Sequence, residues 1–217
     1  MGIRYSLLAK GIPVGLFLRK RDGPKGRGMA APKREKLLEK AQQLFATEGF
    51  KGVSVDRLLE QAGVAKMTLY KAFPTKEALM METLRRRDVA LRERLQTALA
   101  SHRSGLRAIV SAYFDALESW SRRPEFNGCY FVSALSEFGE NEPAAQLARE
   151  HKVQMLEMLA AACREAGAEK PEELAADLRL IVEGASVSKQ TLGAPDAFAR
   201  AKRIALSQLR DGEGADL

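Results

Sequence analysis

The chain has 217 residues, of which 46% are apolar and 29% charged, enough apolar content for a packed core. Its two Cys and two His are too few and too scattered for a structural zinc site or a disulfide-dense secreted scaffold, and they fit a reducing cytoplasm. The net charge is +7, but residues 1–28 hold +6 of it: Arg4, Lys10, Arg19, Lys20, Arg21, Lys25 and Arg27 stand against Asp22 alone. The other 189 residues are nearly neutral, so overall basicity is weak evidence for a nucleic-acid partner.

Residues 1–28 differ in composition from the rest of the chain. Their apolar patch is short and broken by Pro13, which excludes a signal peptide or a transmembrane helix, and no later segment reads as a membrane span. The segment is expected to be a basic arm touching DNA phosphates, an inert disordered tail, or sequence upstream of a true start at Met29.

From Pro32 onward the pattern is helical. Leu37, Leu38, Ala41, Leu44 and Phe45 recur at three- and four-residue steps and form one face; Gly49 stops that helix. Ser54 caps a short helix to about Gln61, and Gly63 ends it. A third helix runs from about Lys66 to Ala72 and cannot continue through Pro74. Thr75 caps a long fourth helix through Leu79, Leu84, Val89, Leu91, Leu95 and Leu99. A fifth follows from Leu106, a sixth enters near Cys129 and ends near Gly139, and Pro143, Pro171 and Pro195 each open another. The fold class expected is all-α with about nine helices; no strand alternation and no repeat is present.

Two short helices joined by a Gly-containing turn, 54–61 and 66–72, have the form of a helix-turn-helix. Leu69 and Phe73, four apart, face inward and leave Lys66, Met67, Thr68, Tyr70 and Lys71 outward. Lysines suit phosphates, hydroxyls give directional hydrogen bonds, and Met67 suits a thymine methyl.

The run Ala62-Gly-Val-Ala-Lys-Met-Thr-Leu-Tyr-Lys-Ala-Phe-Pro-Thr-Lys-Glu-Ala-Leu79 resembles the recognition segment of the TetR family of bacterial transcriptional repressors. Ala41, Phe45, Gly49 and Phe50 in the preceding helix match as well, and the resemblance is specific over residues 33–82. It implies a three-helix DNA-binding domain at 29–82 joined to a helical ligand-binding and dimerisation domain at 83–217. It also implies a homodimer through helices 171–192 and 196–210, with Ala175, Ala176, Ala185, Ala201 and Ala205 allowing close approach. Double-stranded operator DNA and a small-molecule inducer are the implied partners; no metal, no cofactor and no membrane are expected. Thr68, Tyr70 and Lys76 match the family pattern most closely, while Lys66, Met67 and Lys71 would set sequence preference; Ser54 and Arg57 complete the expected DNA-binding set. Two positions depart from the pattern: Ala65 replaces a capping Ser, and Leu59 replaces a small residue.

In the second half, Phe114, Trp120, Phe126, Cys129, Tyr130, Met155 and Met158 are candidate linings of an inducer pocket, against the alternative of plain core. Phe131 stands with them as a further candidate. Cys129 at a helix start, in the setting Phe126-Asn-Gly-Cys-Tyr-Phe, reads first as a small residue in a tight junction, with a thiol sensor as the alternative. Cys163 reads as packing, His151 as half-exposed, and the run Arg85-Arg86-Arg87 as a solvated face. Glu137, Glu142 and His151 have no nucleophile or phosphate-binding motif beside them, so an enzyme is not expected. The rival from another class is a helical carrier or enzyme with a vestigial DNA-binding motif.

Overall fold

The computed structural model describes residues 31–101, 105–124 and 126–209, so residues 1–28 and the basic arm expected there lie outside it. Among the described residues there are nine helices and no strand: α1 (Ala31–Glu48), α2 (Val55–Ala62), α3 (Lys66–Ala72), α4 (Lys76–Ala100), α5 (Leu106–Ser121), α6 (Tyr130–Glu137), α7 (Pro143–Glu165), α8 (Pro171–Leu192) and α9 (Ala197–Ser207).

α1 lays Leu37, Leu38, Ala41, Leu44 and Phe45 against α2 and α4, all of them buried. α2 starts where Ser54 Oγ accepts the backbone N–H of Arg57 and stops at Gly63, whose φ of 63° is open to glycine at little cost. α3 has seven residues, too short to hold its shape alone. Leu69 and Phe73 pin it to the core, and the Arg34 guanidinium lies over the Phe73 ring at 4.8 Å. Its N-cap, Ala65, supplies no side-chain hydrogen bond, as the departure from the capping residue predicts.

α4 is a rod of 25 residues, about 37 Å at 1.5 Å per residue. Thr75 Oγ1 caps it by accepting the N–H of Ala78 at 3.1 Å. Its first half gives Leu79, Met80 and Leu84 to a core shared with α1–α3; its second half gives Leu95 and Leu99 to another core built on α5, α7, α8 and α9. Val89, expected on its apolar face, is exposed. The first core does not end with α4: Tyr130, Phe131 and Ala134 of α6, and Ala144 and Ala148 of α7, belong to it.

Four of the five alanines read as a dimer seam point the other way, while Ala176 is half-buried. Ala175, Ala185, Ala201 and Ala205 are buried inside their own chain, where they let α8 and α9 pack closely on the second core. The outward faces of these helices instead carry Leu180, Val187, Leu192 and Ile204. Helical periodicity places residues on a face without saying which body that face meets, and this is the physical reason for the difference. No helix among the described residues is long and apolar enough to cross a membrane.

Candidate nucleic-acid interface and junction cavity

The outward face of α3 carries Lys66, Met67, Tyr70 and Lys71, all exposed, with Thr68 half-buried beside them. Met67 is 70% exposed, a large apolar side chain that the chain's own packing leaves in solvent. Lys76, in the first turn of α4, places Nζ at 3.5 Å from the carbonyl oxygen of Lys51. α3 and the start of α4 therefore present three ammonium groups, two hydroxyls and a thioether, the set of groups that contacts phosphates and base edges. Ser54 and Arg57 are differently engaged. Ser54 Oγ is used as the α2 cap, and Arg57 pairs with Glu48 and Glu60 at 3.4 and 3.3 Å.

The α1–α2 turn is held from the far side by α6. Glu137, at the C-terminal end of α6, accepts the backbone N–H groups of Phe50 at 3.0 Å and Lys51 at 2.7 Å. Asn127 donates to the Ala46 carbonyl at 3.1 Å. The Phe50 ring meets Tyr130 edge-on at 4.7 Å and Phe138 at 5.7 Å. Tyr130 OH and Thr83 Oγ1 are hydrogen-bonded at 3.0 Å; burial raises the phenol above the ordinary tyrosine range, so Tyr130 serves here as a neutral hydrogen-bonding group. Glu137 is not part of an acid–base set; it is a clasp between α6 and the turn leading into the helix-turn-helix.

Behind the clasp a mostly enclosed cavity of about 90 Å³ lies between α1, α4, α5 and α6. Of the seven expected lining residues, Trp120, Cys129 and Tyr130 reach it, together with Phe131. Phe114 and Met155 are fully buried in the second core. Phe126 packs edge-on to Trp120 at 4.8 Å and to Phe198 at 6.3 Å, and Met158 lies on the border of the same core. Cys129 is the half-buried N-cap residue of α6. Cys163 is buried as expected, which pushes its thiol up to about 12.

Sequence reading missed the cavity's basic wall, formed by Arg87, Arg94 and Arg123. The run Arg85-Arg86-Arg87 is not a uniform solvated face. Arg85 is exposed, Arg86 pairs with Glu35 and Glu82, and Arg87 is 8% exposed with its guanidinium 4.6 Å over the Tyr130 ring. Three successive helical residues point 100° apart and meet different surroundings, and here the third turns inward.

His151 corrects a second expectation. It is 3% exposed, stacks on Phe131 with ring centroids 3.5 Å apart, and bonds Asp88 through Nδ1 at 2.7 Å. Asp88 also takes a two-pronged contact from Arg92. Burial holds the imidazole pKa below its ordinary value against the opposing pull of Asp88. The pair ties α4 to α7. Among the described residues, no three His, Cys, Asp or Glu side chains gather to hold a metal ion.

Comparison with known proteins agrees with this arrangement. Residues 37–83 match the model of the bacterial regulatory proteins of the tetR family, and residues 104–205 match the tetracyclin repressor-like C-terminal domain. The chain is 32% identical over 105 residues to the transcriptional repressor NemR of Escherichia coli, covering 48% of this chain and 53% of that one. It is 33% identical over 102 residues to the transcriptional activator FasR of Mycolicibacterium smegmatis, covering 44% and 47%. The chain thus spans about half the length of the curated relatives it matches. Among solved structures, a TetR-family regulator from Streptomyces coelicolor superposes with a TM-score of 0.75 at 24% identity, over 82% of this chain and 96% of that one. The reduced form of E. coli NemR gives 0.69 at 23%, over 81% and 97%. The two family matches, one on the helix-turn-helix and one on the helices behind it, carry the assignment, and the chain belongs to the TetR family of bacterial regulatory proteins.

Proposed function

We propose that this chain is a transcriptional repressor of the cytoplasm that binds a palindromic operator as a homodimer and is released by a small molecule. The observation that carries it is the exposed face of α3, where Met67, Tyr70 and Lys71 stand free of the chain's own core beside Lys76. Residues 29–82 form the DNA-binding unit. Thr68, Tyr70 and Lys76 hold the backbone; Lys66, Met67 and Lys71 read sequence. Ser54 and Arg57 sit at the start of α2, at the edge of that surface, and Arg57 must exchange its carboxylate partners for a phosphate to take part.

Dimerisation is supported by the outward faces of α8 and α9. Leu180 is 72% exposed and shares a face of α8 with the exposed Val187, and a Cβ placed on Gly184 between them would meet nothing within 4 Å; Leu192 and, on α9, Ile204 are exposed as well. Large apolar side chains left in solvent on these two helices favour an association surface. Two α3 helices must lie about one DNA turn apart, roughly 34–36 Å, to read a palindrome, so a ligand that favours another spacing lowers DNA affinity.

A second reading is regulation by oxidation or alkylation of Cys129 in place of a non-covalent inducer. It is favoured by the half-buried position of Cys129 on the lining of the junction cavity. Release by an electrophile that persists in Cys129→Ser would sink it.

The test of the main reading is fluorescence anisotropy of the full chain on duplexes from its own upstream region, beside a scrambled duplex at physiological salt. Specific binding is expected to exceed non-specific binding by ~10³-fold or more. Lys71→Ala should lower affinity for the specific duplex and relax its sequence preference, while Lys76→Ala should weaken binding to every duplex and reduce the salt slope by about one. A carrier with a vestigial motif would show equal, weak binding to every duplex and no response to Lys71→Ala.

A further inference from the structure

The junction cavity has an unusual charge pattern. Among the described residues that line it, three are arginines and none is acidic. Several arginines on the neighbouring elements are paired, Arg86 with Glu82 and Glu35, Arg92 with Asp88, Arg122 with Glu118 and Arg179 with Glu183, while the exposed Arg85 is in no ion pair with the described residues. Arg94 and Arg123 take part in no ion pair with the described residues; Arg94 reaches only Ser119 Oγ at 3.5 Å. The contrast is sharpest between adjacent residues, since Arg122 turns to Glu118 at 2.7 Å while Arg123 turns to the cavity. Gathering like charges on the wall of a small, partly dry space is costly, and an anion inside it offsets that cost. A guanidinium fork matches a carboxylate in plane and spacing. Leu91, Trp120 and Phe131 give the cavity an apolar and aromatic side, beside the polar Gln42 and Cys129.

We propose that this cavity binds a small organic carboxylate, its anionic end held by Arg94 and Arg123 beside Arg87 and its apolar body set against Trp120 and Leu91. The size points the same way. An engineered cavity of about 150 Å³ takes benzene. A space of about 90 Å³ therefore suits a short-chain acid. The site also spans the molecule. Gln42 of α1 lines it with Arg94 of α4, Trp120 of α5 and Phe131 of α6, so an occupant touches the helices that support α3 and the helix that clasps the α1–α2 turn. As the inducer site this rests on the repressor reading; as a binding site it does not.

Trp120 is the single tryptophan of the chain, which makes its emission a local reporter. Acetate, propionate and benzoate are titrated into the full chain at constant ionic strength, beside propionamide, benzamide and sodium chloride. At least one carboxylate is expected to give a saturable change in the ~mM range, as its few heavy atoms allow, with its neutral amide at least about tenfold weaker. Arg94→Gln and Arg123→Gln should each weaken the carboxylate about tenfold or more, while Arg122→Gln leaves it unchanged. Arg123 is exposed, so its variant keeps the test valid if Arg94→Gln unfolds. No saturable carboxylate response, an equal response to the amides, or indifference to both Arg94→Gln and Arg123→Gln overturns the proposal. The same acids are then added to the protein–DNA complex. A carboxylate that binds but leaves DNA bound keeps the site and removes it as the inducer site. Release by neutral molecules alone, with no carboxylate response, keeps the repressor reading and removes the site.

Discussion

The carboxylate of Glu137 accepts the backbone N–H of Lys51 at 2.7 Å, and the carbonyl oxygen of that same Lys51 receives Lys76 Nζ at 3.5 Å. One peptide segment thus links the end of α6 to a lysine on the proposed DNA-binding surface. Glu137 has a second N–H, from Phe50, and Gly49 lies so close that a Cβ there would come within 3.0 Å of Glu137 Oε1.

Glu137→Ala should therefore cost about 2 kcal/mol of stability, because two backbone donors lose a charged acceptor. Thermal melting checks this. Glu137→Gln keeps one acceptor oxygen and should lose less. Anisotropy should show weaker DNA binding in the Ala variant even at temperatures where it stays folded.

Ala65→Ser should stabilise the protein. Ala65 has the extended backbone of an N-cap and no side-chain bond to the first turn of α3. A hydroxyl there satisfies one orphan N–H and should add about 0.5–1 kcal/mol. Urea denaturation reads the gain as a higher midpoint with an unchanged slope.

Acid should destabilise the fold in two steps. His151 has its pKa lowered by burial, so its contribution is full above the ordinary value of 6.5 and is lost as pH falls below that toward its folded value. Burial pushes the Asp88 carboxyl up, but the bonds from His151 and Arg92 together outweigh it and hold the pKa below the ordinary 3.8. The Asp88 contribution is present above 3.8 and is lost as pH falls below that. His151→Asn keeps a donor for Asp88 and removes the first step. Urea midpoints at pH 7.5 and 5.5 should then coincide in the variant and differ in the parent.

Leu180→Glu should weaken self-association about tenfold or more by placing a charge on the exposed apolar face of α8. Sedimentation velocity over a concentration series would show a shift toward monomer. Far-UV circular dichroism should not change, because Leu180 stands outside the buried core of its own chain. A parent chain that is already monomeric would end the dimer reading.

The local signals in the chain are strong, and they match the fold. Ser54, Gly63, Thr75 and the prolines at 143 and 171 stand at helix ends, where cap geometry depends on a few neighbouring residues. The outward set on α3 was legible for the same reason: Leu69 and Phe73 fix which way a seven-residue helix turns. The contacts between distant segments were not legible. Glu137 meets Lys51 across 86 residues, and His151 meets Asp88 across 63, with no periodicity to announce either. The alanines of α8 and α9 show the limit most directly. Small residues allow close approach to any neighbour, and here the neighbour is the chain's own core.

The membership of α6 in the first core bears on how this protein can be cut and recombined. Tyr130, Phe131 and Ala134 pack with Phe45, Phe50 and Leu84, so a fragment ending after α4 would leave an aromatic socket open to water. A chimera joining these first four helices to another regulator's sensor would inherit a foreign sixth helix in that socket. Grafts that carry α6 along with α1–α4 keep the socket filled, so the workable seam for exchanging operator specificity runs through space rather than at one point along the chain.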